Sequence, residues 1–304
     1  MGIPRIFVFH SGGGYLMSNV KKILAGAVAL LLMASAAQAD TIKFGVTDLT
    51  GLEELQTNYG DFVAALEEVT GDTIEYFPVN SRTAAVEAMA NGHVDYILTG
   101  PAEYIVFRAR AKAIPVVAWQ RVDYYTSLLV TNESPIKTLA DVKGKIVAFG
   151  DVGSTSTHLA PAQLLASIGY MPNEDYTALN IHRGVSIEAM LQGDVDTIAV
   201  GSSHVINIRM AFPDVGIRVA ARGPDLPNDV LVAGAHVPAE NVEKIRAAFV
   251  ENATMLMEAA LTSEDNKKYI GGKFIPTVED SDYEYVRQAY ITVGAENLAK
   301  FIDE

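Results

Sequence analysis

The 304-residue chain contains no cysteine. That excludes a disulfide framework, a thiolate metal site and a thiol nucleophile. Basic residues are scarce as well: 23 Lys and Arg stand against 37 Asp and Glu, a formal charge of −14. Binding to nucleic acid or to an anionic membrane surface needs a basic field, so both are excluded. A small anion is not, because backbone donors and one arginine can hold it locally. The longest apolar run, Ile23 to Ala34, is too short to span a bilayer, which needs roughly 20 residues. No Gly-x-Ser-x-Gly elbow, His-Glu-x-x-His pair, Walker loop or Rossmann glycine fingerprint occurs, so the common enzyme signatures are missing. What the chain has is apolar material, 49% of its residues, enough for one large domain or two of ordinary size.

The short apolar run has a context. Met17-Ser-Asn-Val-Lys-Lys22 precedes it and Ala37-Gln-Ala39 follows it, giving the charged, apolar and small-x-small regions of a secretory leader. An anchor helix is the alternative. Residues 1–16 fit no part of a leader, and Met17 reads as the initiator. The expectation is that residues 1–39 are an extension plus a cleaved signal peptide. The exported chain then starts at Asp40 and is more acidic still, since Arg5, Lys21 and Lys22 are lost. With no cysteine after the run, a lipid anchor is excluded.

Beyond residue 40, β-type and helical runs alternate. Thr41–Thr47 reads as a strand, Asn58–Val69 as a helix, Thr73–Pro78 as a strand, Thr83–Ala90 as a helix and Val94–Leu98 as a strand. The same order recurs over Lys145–Gly150, Pro161–Ile168, Asp175–Asn180, Ser186–Gln192 and Val195–Val200, and it predicts an α/β fold with mainly parallel sheets. The repetition is partly literal. Glu87-Ala-Met-x-x-Gly92-x-Val94-Asp95-x-Ile97-x-x-Gly100 returns as Glu188-Ala-Met-x-x-Gly193-x-Val195-Asp196-x-Ile198-x-x-Gly201, eight of fourteen positions at an offset of 101. Lys43 and Lys145 open the two halves 102 apart. Gly92 and Gly193 are expected as left-handed helix ends, and Gly100 and Gly201 as points where each strand turns outward.

Two similar lobes follow from the repeat: residues 40–127 with 228–304, and residues 128–227. Ligands of such sheets bind beyond the carboxyl ends of the strands, so loops 48–58, 99–104, 151–158 and 201–205 are expected around one cleft. Tyr124–Thr131 and Asn228–Ala235 are read as the crossings between lobes, and the helical tail from Pro238 as packing on the first. Trp119 is expected between the lobes, Met255, Met257 and Leu261 in a core, and Glu240 with Lys244 as a solvated pair.

The segment richest in chemistry is Gly153-Ser-Thr-Ser-Thr-His-Leu-Ala-Pro161, between a strand and an Ala/Leu-rich helix. Ser154, Thr155, Ser156 and Thr157 put hydroxyls beside free helix-start amides, an arrangement suited to an anion. An ordinary N-cap is the alternative, though a cap needs one hydroxyl. Arg82 could fork onto an oxyanion or be a solvent-facing helix-start residue. One of Tyr124 and Tyr125 is expected at the ligand while the other packs; Tyr125 is taken as the contact. His158 lines the cleft or covers the helix start, and His182 and His236 read as surface or strand-end residues. No His-x-x-x-His spacing or matching acid occurs, so no metal site is expected.

Gly150-Asp-Val-Gly-Ser-Thr-Ser-Thr-His-Leu-Ala-Pro161 resembles the glycine-flanked Ser-Thr-Ser motif of the phosphonate/phosphite substrate-binding proteins of ABC importers. Tyr124-Tyr-Thr, Leu139-Ala-Asp-Val-Lys-Gly-Lys145, Gly100-Pro101 and Leu226-Pro-Asn-Asp229 support it in order and spacing. The resemblance implies a two-lobed periplasmic-binding-protein fold, type II-like, with the ligand cleft between lobes. It implies a soluble, monomeric receptor that closes on a tetrahedral oxyanion held by Ser154, Thr155 and Ser156. The receptor would deliver this anion to a permease in the inner membrane, without cofactor or catalysis. A sensor subunit using the same lobes is the alternative. Three departures stand out. Arg82 sits where the family often has tyrosine, Thr99 where it has an aromatic, and His204 near the place of a carboxylate that holds ligand amines. Thr99, Arg82 and His204 are carried as site residues on that basis.

Overall fold

The computed structural model of the protein describes residues 1–2, 40–47, 51–79 and 81–298. The expected leader, its cleavage site and Met17 lie outside the described residues. The chain divides into two units, Met1–Asp40 and Thr41–Glu304, and the elements described below belong to the second.

Inside this second unit the elements run β1 (Thr41–Val46), α1 (Leu52–Thr70), β2 (Thr73–Tyr76), α2 (Arg82–Ala90), β3 (Tyr96–Thr99), α3 (Pro101–Ala111) and β4 (Ile114–Trp119). They continue with β5 (Tyr125–Thr131), β6 (Ile146–Phe149), α4 (Ala160–Ala166), β7 (Thr177–Asn180), α5 (Arg183–Gln192), β8 (Thr197–Gly201), α6 (Ser202–Ala211) and β9 (Ile217–Asp225). The last part holds β10 (Asp229–Ala233), α7 (Ala239–Glu251), α8 (Ala253–Ala260), β11 (Phe274–Ile275) and α9 (Glu284–Thr292).

Two sheets result, ordered β11-β4-β10-β3-β1-β2 and β7-β6-β8-β5-β9. In each, two parallel neighbours flank the strand that opens the repeat, β1 in the first sheet and β6 in the second. One inner strand runs antiparallel to both its neighbours, β10 in the first sheet and β5 in the second, and the two-residue β11 pairs antiparallel with β4 at the first sheet's edge. Each inner antiparallel strand is the first that the chain makes on arriving from the other sheet. The fold is therefore α/β, as the alternating pattern predicts. The stretches read as crossings are strands within the sheets, and the chain crosses at 120–124 and 226–228. Consequently the expected lobe limit at 127/128 falls inside β5, whose partners Ile198–Gly201 and Ile217–Asp225 all belong to the second sheet.

The repeat has a physical content. Asp95 accepts the Lys43 amide at 2.7 Å, and Asp196 accepts the Ile146 amide at 2.8 Å, each stapling the start of the neighbouring strand. The ladders pair Gly45 with Ile97 and Ala148 with Ile198, so Lys43 corresponds to Ile146; Lys145 lies one residue earlier. Gly193 ends α5 with φ 82°, and Gly92 follows α2 with φ 71°, both left-handed. Gly100 and Gly201 differ: φ is −77° and −72°, so neither needs glycine for its backbone. A Cβ on Gly100 would lie 2.7 Å from Glu103, and one on Gly201 2.8 Å from Ser156. Close approach, not turning, explains these two glycines.

Burial follows sheet faces. Trp119 is fully buried among Phe62, Tyr269 and Phe274 at 5.0–5.2 Å, inside the first sheet's aromatic core and not between lobes. Met255, Met257 and Leu261 pack against that same core. Lys244 reaches the buried Asp72 at 2.6 Å instead of pairing with Glu240. The tail divides: α7 and α8 pack on α1, while α9 touches both α3 and α4. Its Tyr290 hydroxyl donates to the Ala102 carbonyl at 3.0 Å, and its Thr292 hydroxyl to Gln163 at 2.5 Å. The last helix thus ties the two sheets' helices together, beyond the single-lobe packing expected.

Candidate functional site

Three helical starts face one cleft of about 770 Å³. Gly100 precedes α3, Gly201 precedes α6, and Ser154 precedes a wide π-type turn, Thr155–Leu159, that leads into α4. None of these three N-cap positions closes its helix with its own side chain; the amides that open the wide turn and α6 form a positive rim, while at α3 Pro101 has no N–H and the Ala102 amide is taken by Thr155. The wide turn accommodates Pro161, which lacks an N–H and would break a helical turn already begun. Ala160 donates to the Thr155 carbonyl, five residues back, and the helix begins where a residue without an N–H is tolerated.

The hydroxyl run is buried and its partners are specific. Thr155 Oγ1 accepts the Ala102 amide at 3.0 Å, reaching from the second sheet's turn to the start of α3 beside the first sheet. Thr157 donates to Ser154 at 2.7 Å. Ser156 lies near the Tyr124 hydroxyl and packs on Gly201. His158 Nδ1 accepts the Gly153 amide at 3.2 Å and holds the loop ahead of the turn; burial pushes its pKa down. Four hydroxyls in a row therefore do more than cap a helix.

Of the residues singled out from sequence, Ser154, Thr155, Ser156, Thr157, Arg82 and His204 line the cleft together. Thr99 and Tyr125 do not. Thr99 is buried at the end of β3 with its hydroxyl 3.0 Å from that of Thr47. Tyr125 lies under the Arg222 guanidinium, 3.8 Å from its ring centre; Tyr124 is the tyrosine in the wall. Arg82 is engaged by Glu103, Nε to Oε1 2.6 Å, with Glu103 largely buried and Arg82 half exposed. Three of the four expected loops contribute; residues 48–50 of the fourth lie outside the described residues.

Sequence reasoning missed the wall made by the crossings. Arg121 stacks on Tyr124 at 3.6 Å and faces Asp229 at 3.5 Å. Asp229 also accepts the Tyr269 hydroxyl at 2.7 Å and meets Lys268 at 3.4 Å. Burial raises the Asp229 carboxyl, but Arg121, Lys268 and the tyrosine outweigh it and hold the pKa below the ordinary carboxylate range. The signal was present: Asp229 belongs to the Leu226-Pro-Asn-Asp229 segment, and Arg121 precedes the tyrosine pair. Only folding brings them within contact. Among the described residues no group of three or more His, Asp or Glu could hold a metal ion, and no helix is long and apolar enough to cross a membrane.

A family model described as "ABC transporter, phosphonate, periplasmic substrate-binding protein" matches residues 44–283. The chain is 24% identical over 310 residues to the "Phosphate-import protein PhnD" of Mycolicibacterium smegmatis, covering 90% of this chain and 97% of that one. The binding component of a Pseudomonas aeruginosa ABC phosphonate transporter superposes with a TM-score of 0.60 at 20% identity, over 86% of this chain and 88% of that one. A Prochlorococcus marinus protein solved with methylphosphonate gives 0.63 at 18% identity, over 84% and 99%.

Proposed function

Because the chain belongs to the periplasmic substrate-binding family of phosphonate ABC transporters, we propose that its cleft captures a small tetrahedral oxyanion such as phosphonate, phosphite or phosphate. The family comprises transport components and not enzymes, and its partners are a small ligand and a membrane permease. The observation that carries the finer reading is the convergence of Ser154–Thr157 with the starts of α3 and α6 on one cleft. An oxyanion there accepts from hydroxyls and helix-start amides together, with helix dipoles adding a positive field. The chain works as an exported monomer that closes on its ligand and hands it to a permease in the inner membrane. Closure follows from ligand contacts that both sheets make only when near each other.

Calorimetry with methylphosphonate, phosphite, phosphate and methanesulfonate tests this reading. Saturable binding of at least one phosphorus oxyanion, with a smaller radius of gyration in solution scattering, supports it. No binding across the set overturns it.

A further inference from the structure

The cleft holds little positive charge for a site that takes an anion. Among the described residues its lining carries five Asp and Glu against four Lys and Arg, so the helix starts work against a small acidic surplus. A second charge on the ligand meets that surplus. A ligand that keeps one acidic proton brings a single charge and an O–H donor instead. Such a donor needs an acceptor beside the hydroxyl run.

Glu103 stands in that place. It follows Ala102, whose amide is bonded to Thr155, so its carboxylate and the hydroxyl run border the cleft from one contact. The carboxylate is largely buried and lies against the start of α3, where one oxygen would be 2.7 Å from a Cβ on Gly100. Arg82 fixes it from α2 at 2.6 Å. A carboxylate accepts up to about four hydrogen bonds, so one that is already partnered still accepts from a ligand. The other acids are poorer acceptors. Asp229 is drawn toward Arg121, Lys268 and the Tyr269 hydroxyl, while Asp151, Glu264 and Asp265 are exposed and screened by water.

Helix-start amides and hydroxyl donors hold a sulfonate as readily as a phosphonate. A buried carboxylate does not: it accepts from P–O–H and repels an oxyanion that has no proton to give. We propose that Glu103 makes the site selective for oxyanions that carry an acidic proton, namely hydrogen phosphonates, hydrogen phosphite or dihydrogen phosphate, and sets it against sulfonates and doubly charged oxyanions. This rests on oxyanion capture by the cleft, as read above.

The charged groups around Glu103 are Arg82 and Glu87 on α2, Arg110 on α3 and Asp229 across Gly100. The titratable ones are Tyr124, Tyr290, His158 and His204. Burial pushes both tyrosines up, with the Glu103 charge adding to each, and pushes His158 down. Methanesulfonate has no proton to lose, so its pH profile reports these groups, and the difference between it and methylphosphonate reports the ligand's proton.

Calorimetry of the full chain compares the two ligands at pH 7 and pH 9. At pH 7 methylphosphonate should bind roughly tenfold or more tightly than methanesulfonate. Raising the pH strips its last proton and should cost it about tenfold, while methanesulfonate changes little. Glu103→Gln should raise methanesulfonate more than methylphosphonate, narrow the gap and flatten the methylphosphonate pH profile; a thermal melt reports whether that variant folds. Equal affinities in the parent protein, or a methylphosphonate affinity that rises with pH, overturn the selectivity whatever the variant does, and methylphosphonate binding then keeps the oxyanion reading intact. A gap unchanged in folded Glu103→Gln overturns the assignment to Glu103. Failure of both ligands overturns the selectivity and the oxyanion reading together.

Discussion

The hydroxyl oxygen of Thr155 lies 3.0 Å from the amide nitrogen of Ala102, and both residues are buried. A turn beside the second sheet thereby supplies the cap for a helix beside the first. The tie sits at the mouth of the oxyanion cleft, so the same hydroxyl that would serve the ligand also joins the two halves of the protein. Thr155→Val removes the acceptor and strands the Ala102 amide, at a cost of about 1–3 kcal/mol. Thr155→Ser keeps the acceptor and should stay near the parent. Denaturant titration checks the stability, and calorimetry with methylphosphonate should show the valine variant weakened and the serine variant little changed.

Arg82 and Glu103 set the second prediction. The 2.6 Å pair holds the guanidinium away from a role as sole anion ligand. Glu103→Gln keeps the shape and removes the competing charge, so oxyanion affinity should rise, up to about tenfold. Arg82→Ala should lower affinity and also stability, because Glu103 would remain buried without its cation. Equal affinities for the two variants would show that the pair takes no part in binding.

The two tyrosines should separate cleanly. Tyr124→Phe removes the hydroxyl that meets Ser156 and should weaken oxyanion binding by about one decade. Tyr125→Phe leaves the ring under Arg222 intact and should bind like the parent. Competition against a bound reporter ligand measures both on one scale.

Acid should act through His158. Burial lowers its pKa from 6.5, so the unfolded chain takes up the proton first. Stability is therefore full at neutral pH and is lost as pH falls below about 6.5 toward the folded-state value. Protonation also takes away the Nδ1 lone pair that accepts the Gly153 amide. His158→Asn offers a neutral acceptor, and its melting temperature should vary less than the parent's between pH 7.5 and 5.5. A parallel decline in both proteins would assign the acid sensitivity to other groups.

Much of this was legible before folding, because periodicity and repeats are local. The strand–helix order and the repeat that holds Asp95 and Asp196 can be read within short windows, and a motif of consecutive hydroxyls announces itself; the bonds these two aspartates make, 52 and 50 residues back, cannot. Other features depend on partners far along the chain. Nothing near Thr99 reveals that Thr47 will occupy its hydroxyl, and nothing near Tyr125 reveals that Arg222 will cover its ring. Asp229, Lys268 and Arg121 meet only because β10 returns to the first sheet after the whole second sheet has been built. The crossings were misplaced for a related reason: an inner antiparallel strand and an extended linker have the same composition, and only pairing distinguishes them.

The four repeat glycines give the sharpest separation between fold and site. Gly92 and Gly193 hold positive φ with no clash at Cβ below 3.6 Å. Alanine there strains the backbone by roughly 1–2 kcal/mol but touches nothing in the cleft. Gly100 and Gly201 have ordinary φ, and their would-be Cβ atoms strike Glu103 and Ser156. Ser156 can rotate away, so Gly201→Ala should lose little stability while breaking the Ser156–Tyr124 contact and displacing one wall of the oxyanion site. Gly100→Ala should shift the Glu103 carboxylate and disturb the Arg82 pair in the same manner. The expected pattern is a crossed one. Gly92→Ala and Gly193→Ala melt earlier and bind methylphosphonate normally; Gly100→Ala and Gly201→Ala melt near the parent and bind several-fold more weakly. If all four variants lose stability and affinity together, the glycines serve the fold alone, and the walls beside Gly100 and Gly201 do not hold the ligand.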